Sequence, residues 1–492
     1  MPDKNGNFFD GIGLVDLEKI LTTELEHLKY PGKNWVPKKE GITDIVIVGG
    51  GMCGMVVWHS LVSGGIQNVR ILDKSTKGNE GPWVNYARME TLRSPKDLTG
   101  PAFGHGALTF QSWYRAQYGE DSWNSLDKIL RPMWMDYLKW YRSVLKIPIE
   151  NGLSLNQVKP VEGNILKLKI SGNNGNNNET IFCRKLIFAT GRDGIGCPNI
   201  PNFVDSLPKK FWAHSSDDID FNTLAKKNVA VIGVGASAVD NAAEALEHGA
   251  AEVRHIIRRK KMPRINKMMG IGSFGFTTGF PNLPDEWRWR FMQYSFSTQT
   301  PPPRGSTLRV SKNKNAFFHF GKEPTHLQVE EEKVKIFFAD GSTYLSDFII
   351  LGTGFKTDPL ARTEFGEAAG NILLWEDVYD PPEDEKNHDL KKFPYLNKDF
   401  SFKEKVKGTD IWLQNVYCFN YAASASLGKV SGDIPGISDG ATWLARSIGA
   451  TLYKEDIEKH WQHLLDYKSP ELLGDEWEPS ELEGENNKGK VA

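Results

Sequence analysis

Two short apolar strands, each running into a glycine loop and then a helix, constrain this chain more than any other feature of its sequence. The first strand is DIVIVG (44–49). It leads into GGGMCG, with Gly49, Gly51 and Gly54 in GxGxxG register, and then into the helical stretch MVVWHSLVSGG. The next apolar run, NVRILDK, ends at Asp73, 24 residues after Gly49. That is close to the spacing of an acid that grips a ribose in a dinucleotide fold. Each glycine has a physical task. Gly49 permits the tight turn, Gly51 lets the backbone approach a pyrophosphate, and Gly54 lets helix and strand pack closely. The helix N-terminus then faces the phosphate charge.

The second strand, VAVIG (229–233), leads into GVGASA, with Gly233, Gly235 and Ala238, and a helical stretch follows. Here the next strand, EVRHIIRRKK, ends in Arg258, Arg259, Lys260 and Lys261 instead of an acid. An acid repels a ribose 2′-phosphate, whereas arginine binds it bidentately. Site one is therefore expected to take an unphosphorylated adenosine and site two NADP. Two dinucleotide sites imply electron traffic, and the natural partner of NADPH is a flavin.

Composition removes other classes. The chain has 492 residues, a formal net charge of -2 and ordinary hydrophobic and charged fractions of 39 % and 25 %. Neither nucleic acid nor an anionic membrane is indicated as a partner. No run approaches the ~18 apolar residues of a membrane helix, and the N-terminus does not read as a secretory signal. The four cysteines, Cys53, Cys183, Cys197 and Cys418, form no CxxC pair and have no histidines at zinc spacing. No metal site is expected, and a reducing, cytoplasmic location is.

Residues 14–29 place apolar side chains at helical spacing, ended by Pro31 and Gly32, and read as a helix packed on the body of the protein. SGNNGNNNET (171–180) reads as a polar turn. Residues 438–452 read as a helix with Ser438 and Asp439 as cap candidates. Its partially positive N-terminus suits the negative edge of a reduced flavin. The aromatic stretch 270–325 is long enough to cover a nicotinamide or line the substrate's path, although aromatic clusters more often form core.

On these motifs the chain resembles a two-dinucleotide-binding-domain flavoprotein, and specifically a class B flavin-dependent monooxygenase, over residues 44–467. FATG (188–191) and LGTGF (351–355) resemble the family's segments where the chain passes between domains. GPW (81–83) is similar to its GGTW, and LRSPKDL (92–98) to the stretch that follows. The resemblance implies an α/β fold of two Rossmann-like domains, an FAD domain interrupted by an NADPH domain. The expected boundaries are a helical leader 1–43, FAD domain 44–200 and 340–467, NADPH domain 201–339 and a polar, disordered tail 468–492. The cofactor contacts are expected at Gly49, Gly51, Gly54, Asp73, Lys74, Trp83, Gly191, Gly233, Gly235, Ser237, Arg258, Arg259, Gly354 and Asp433.

The implied activity is oxygenation of a small substrate, at an amine nitrogen or a sulfur, through a C4a-(hydro)peroxyflavin formed with O2, with homo-oligomerisation left open. The chain also departs from the family. The FxGxxxH signature is poorly matched around His214, and Asp218 stands where Baeyer–Villiger enzymes carry tryptophan. Arg93 replaces a common asparagine; as the candidate catalytic-site residue it suits an acidic substrate group, such as that of an amino acid. Two rivals are an NADPH-dependent reductase of the same architecture and a non-catalytic flavin-binding protein.

Overall fold

The computed structural model describes residues 9–173 and 178–480. Two parallel sheets organise it. The first has the order Ile149–Asn151, Val69–Asp73, Thr43–Val48, Glu179–Phe188, Ile165–Gly172, Leu153–Val161, and Val416–Cys418 also pairs with Glu179–Phe188. Its two last strands are antiparallel; the others run parallel. Ile45, Val46 and Ile47 are all fully buried. That continuous burial is what a parallel sheet covered on both faces requires.

The helix Met52–Ser63 is apolar almost all round and buries ten of its residues, because it is held between this sheet and the helix Ile437–Glu455. The helix Leu14–His27 buries Leu17, Leu21 and Leu25 in the same core.

The second sheet is wholly parallel, in the order Ala316–Phe320, Glu252–Ile257, Asn228–Ile232, Phe348–Leu351, Trp212–His214. Phe348–Leu351 thus belongs to it, so the second unit continues past the boundary expected at residue 339. The run FIIL is equally suited to either sheet; only its pairing, Ile349 with Ala230 and Trp212, decides. A three-stranded antiparallel sheet, Pro324–Glu330, Lys333–Phe338 and Thr343–Ser346, precedes it. Where the chain passes between the two sheets, Gly196–Pro198 and Phe355–Thr357 pair as a short antiparallel ribbon.

The aromatic stretch forms the helices Phe274–Gly279, Asp285–Thr298 and Arg304–Ser311. Phe280, Trp289 and Met292 bury themselves with Trp375, Leu390 and Phe393. Phe280 and Trp289 are therefore core, with Phe276, Phe291 and Phe296 packed against them, whereas Phe274, Trp287 and Tyr294 stay exposed. The last long helix starts at Ile437 after Gly436, with no side-chain cap. Ser438 is not the expected cap: its hydroxyl donates to Gly100 O at 2.6 Å, fastening the helix to the turn that follows LRSPKDL. Asp439 lies within the first turn and does not cap it either.

In the polar tail, residues 468–480 carry no helix or strand, and 481–492 lie outside the described residues, as do 1–8 of the leader and 174–177 of the polar turn. Among the described residues no helix is long and apolar enough to cross a membrane.

Candidate functional site

At the first glycine loop, Gly49 takes φ +105°, and a Cβ there would stand 2.5 Å from Ala189 O. A Cβ on Gly54 would stand 1.9 Å from Gly49 O. No side chain other than hydrogen fits either position. The helix Met52–Ser63 begins after Gly51 without a side-chain cap, so its first N–H groups face outward toward whatever sits on the loop. Asp73 is buried beside it. Gly50 N donates to its Oδ2 and Ser75 N to its Oδ1, both at 2.7 Å. Two backbone donors thus orient the carboxylate and leave further lone pairs on each oxygen for ribose hydroxyls. Lys74 is exposed, and its carbonyl accepts from Asn173 Nδ2 at 2.7 Å.

Across the loop runs Glu80-Gly81-Pro82-Trp83. A Cβ on Gly51 would meet Gly81 Cα at 3.4 Å. Trp83 is half-buried and packs edge-on against Trp134, at 6.3 Å between centroids. The guanidinium of Arg131 donates to its carbonyl. Glu80 was not foreseen. It is buried, accepts from Arg142 Nη1 at 2.6 Å and Asn151 Nδ2 at 2.7 Å, and holds this segment to the sheet. Its position directly before GPW was the one available signal.

The second loop repeats the geometry. Gly233 has φ +132°, and its Cβ would lie 2.4 Å from Gly352 O. A Cβ on Gly352 would lie 2.4 Å from that of Ala238, so an alanine with a facing glycine does here what the third glycine does in the first loop. The helix Ala236–Glu247 also begins on an uncapped glycine, Gly235. Ser237 is exposed in its first turn.

The two arginines diverge. Arg259 Nε donates to Gln299 Oε1 at 2.9 Å and its Nη2 to Ser297 O at 2.8 Å. Gln299 itself faces Gly235. Arg258 is 80 % exposed and turned to Glu323, 4.0 Å away.

The crossing points carry Gly191 (φ +62°) and Gly354 (φ +76°). Gly354 O accepts from His214 Nε2 at 2.9 Å and from Asn199 N at 2.8 Å. His214 Nδ1 lies 2.7 Å from Ser216 Oγ and accepts from Ser216 N at 3.2 Å. That pattern fits the neutral ring protonated at Nε2, and burial lowers its pKa further. His214 therefore fastens the second sheet to the crossover.

Arg93, Arg192, Lys429, Asp433 and Asp240 lie within electrostatic reach of one another. Arg93 Nη2 donates to Pro301 O at 2.9 Å. Arg93 keeps solvent contact, yet desolvation lowers its pKa; Asp240 and Asp433 oppose that and Arg192 adds to it. Lys429 is lowered by burial, with Asp433 opposing and Arg192 and Arg93 adding. Arg192 lies over the Tyr421 ring, 4.0 Å from its centroid. Asp240 is 2 % exposed, and its Oδ1 has no hydrogen-bond donor among the described residues; burial raises its pKa. Arg192, Lys429 and Asp240 were not singled out from the sequence.

Comparison with known proteins follows this geometry. Residues 46–270 match the family pattern described as pyridine nucleotide-disulphide oxidoreductase. The chain is 33 % identical over 477 residues to a FAD-dependent urate hydroxylase of Xanthomonas campestris pv. campestris, covering 96 % of this chain and 99 % of that one. Among solved structures, an ornithine hydroxylase from Pseudomonas aeruginosa superposes with a TM-score of 0.65 at 16 % identity, over 84 % of this chain and 99 % of that one. An ornithine N-hydroxylase from Kutzneria sp. 744, solved with reduced FAD, NADP⁺ and L-ornithine, gives 0.64 at 16 %, over 83 % and 99 %.

Proposed function

The chain belongs to the flavin-dependent monooxygenases, the family of the urate hydroxylase with which it aligns end to end, and from that premise we propose that it hydroxylates a urate-type heterocycle. The observation that carries this reading is the alignment itself, 33 % identity across 99 % of that enzyme. The likeness to ornithine hydroxylases, at 16 % identity, speaks for the fold alone. The amine-nitrogen or sulfur chemistry expected from the sequence therefore has weaker support than hydroxylation of an oxidised purine.

The residues present fit both nucleotides. Gly49, Gly51 and Gly54 make a cradle that a Cβ would fill, with uncapped helix N–H groups for a pyrophosphate. Asp73 is set for the adenosine ribose of FAD, and Asp433, just before the turn that leads into the last long helix, is assigned to the flavin. The Gly233–Ala238 loop with Arg259 and Gln299 takes NADPH. FAD, once reduced by NADPH, supplies the electrons that activate O2: one oxygen atom goes to the substrate and the other leaves as water, with NADP⁺ released. The chain's part is to bind, orient and exclude water. Arg93 holds Pro301, between the helices Asp285–Thr298 and Arg304–Ser311; a cleft closed by that stretch would limit loss of reducing power to hydrogen peroxide.

The test uses the purified yellow enzyme with NADPH, O2 and urate. The expected result is that urate accelerates NADPH oxidation and disappears in step with it, at one O2 per NADPH. NADPH oxidation unaffected by urate and ending in peroxide would overturn the urate reading. Electron delivery to a quinone without O2 would favour the reductase.

A further inference from the structure

Two exposed apolar surfaces of opposite charge lie far apart in the sequence. The first is a C-terminal arm. The helix Ile457–Asp466 follows Asp456, and none of its residues is buried. Ile457, Trp461, Leu464 and Leu465 recur at helical spacing and make one apolar stripe. Trp461 is nevertheless 55 % exposed and Leu464 63 %. Tyr467, Leu472, Leu473 and Trp477 carry the exposed apolar surface on beyond the helix. The arm is acidic. Over 457–480, Glu458, Asp466, Glu471, Asp475, Glu476 and Glu478 stand against Lys459 and Lys468.

The second surface is the loop after the strand Glu252–Ile257. Over 258–274 it carries Arg258, Arg259, Lys260, Lys261, Arg264 and Lys267 and no acid. Ile265, Met269 and Phe274 are exposed among these bases, Phe274 by 81 %. Lys267 lies over the exposed Tyr294 ring, 5.7 Å from its centroid. Arg258 and Arg259 face partners within the chain. The side chains of Lys260, Lys261 and Arg264 make no ion pair among the described residues. Both surfaces are exposed within one chain, so its arm does not cover its own loop.

We propose that the acidic apolar arm 457–480 docks on the basic apolar loop 258–274 of a second copy of this chain, and that two copies exchange arms to form a dimer. Contiguous apolar surface left in water marks an interaction site, and a helix with an open apolar stripe gains stability by packing it. The charges choose the occupant: the arm's acids complement the loop's unpaired bases. A formal net charge of -2 opposes the meeting of two copies only weakly. The reach suffices. The helix spans about 15 Å, and residues 468–480, when extended, add roughly 40 Å. Trp461 and Leu464 supply the apolar centre of the contact, and Lys260, Lys261 and Arg264 its charged rim. Each copy carries both halves of the contact, so one exchange covers both arms and both loops.

The test measures the mass of the full-length FAD-loaded protein by sedimentation velocity. Wild type is expected at twice the chain mass at micromolar concentration, and to dissociate as salt rises because the rim is charged. Trp461→Ser with Leu464→Ser is expected to raise the dimer Kd about hundred-fold. Two charge reversals identify the facing surfaces. Lys260→Glu, Lys261→Glu and Arg264→Glu together reverse the loop; Glu471→Lys, Asp475→Lys and Glu478→Lys together reverse the arm. Each reversed protein alone is expected to be monomeric, because like charges meet. An equimolar mixture of the two is expected to recover the dimer, since every arm then finds a loop of opposite sign. Flavin content and melting temperature check that each variant folds. Wild type that stays monomeric at its highest soluble concentration overturns the proposal. A dimer lost with Trp461 and Leu464 but indifferent to both reversals means that the helix stripes pair with each other, and overturns the arm–loop contact. A monomeric wild type that pellets with phosphatidylserine vesicles, and no longer does so once the loop is reversed, assigns the loop to lipid and overturns it. A loop reversal that weakens NADP⁺ binding while the dimer persists assigns the bases to the nucleotide and overturns it as well.

Discussion

Gly51 shows how much a single carbon can decide. A Cβ there would reach Gly81 Cα at 3.4 Å, which the backbone tolerates, but the same atoms would occupy the approach to a pyrophosphate. Gly51→Val is expected to fold and to purify without FAD, read from the ratio of flavin to protein absorbance; full flavin occupancy would contradict the assignment. Gly54→Ala should fail differently. Its Cβ would stand 1.9 Å from Gly49 O, so the cost is overpacking of backbone, about 1–3 kcal/mol or more, and the melting temperature should drop. The arginines after the second strand also separate. Arg259 is tied to Gln299 beside the second loop, whereas Arg258 faces Glu323. Arg259→Ala should lower the preference for NADPH over NADH in flavin reduction about ten-fold or more, the range of a charge-assisted contact at ~1.5–3 kcal/mol. Arg258→Ala should lower it less. Equal effects would mean that both read the 2′-phosphate.

At the scale of the element, the strand Glu252–Ile257 carries an acid-sensitive weakness. His255 is fully buried there, stacks on Phe318 at 5.5 Å, and neither ring nitrogen has a hydrogen-bond partner among the described residues. Burial pushes its pKa from 6.5 down to about 4. His59, buried in the helix Met52–Ser63, is pushed to about 3 by the same cause, helped by nearby His105. A histidine whose pKa is lower folded than unfolded binds more protons unfolded. Its contribution to stability is therefore intact above the unfolded value and is lost as pH falls through the folded one. Melting temperature should decline from pH 6.5 toward 4. The displacement of His255 amounts to about 3 kcal/mol at the acid end. His255→Phe keeps the stack and removes the proton site, so it should flatten that decline. An unchanged slope would assign the acid sensitivity to His59 and the carboxylates instead.

At the scale of the whole molecule, the two sheets are joined by more than the two chain crossings. Arg88 Nη1 donates to Ser215 O at 2.7 Å and its Nη2 to Asp217 O at 2.9 Å, while Arg309 Nη1 donates to Arg88 O at 3.1 Å. Arg309 is itself paired with Glu244 and Glu247 on the second glycine helix. Together these bonds set one nucleotide loop against the other. A monooxygenase needs that setting twice, for hydride transfer and then for keeping water from the activated oxygen. Arg88→Ala should retain FAD yet release more hydrogen peroxide per NADPH and less product. Unchanged coupling would mean that the ribbon of Gly196–Pro198 with Phe355–Thr357 suffices to hold the two units.

The local parts of this protein were legible in its sequence because their causes are local. A buried parallel strand, a turn that only glycine can make and the helix that follows are set within about a dozen residues, so both nucleotide loops and Asp73 could be read directly. The parts that escaped depend on residues far apart in the chain. Nothing near residue 53 or 431 announces that the two will meet, and nothing near residue 421 that its ring will lie under Arg192; tertiary packing brings them there. FIIL has the same pattern in either sheet, and its neighbours decide where it pairs. Arg258 and Arg259 look alike in sequence, but beyond the strand's end at Ile257 one turns to Glu323 and the other to Gln299. Ser438 looks like a cap, yet it bonds to Gly100 because the chain folds that turn against it. Nucleotide binding followed from backbone rules that act along the chain, whereas the charge and shape of the cleft follow from which loops the tertiary packing makes neighbours.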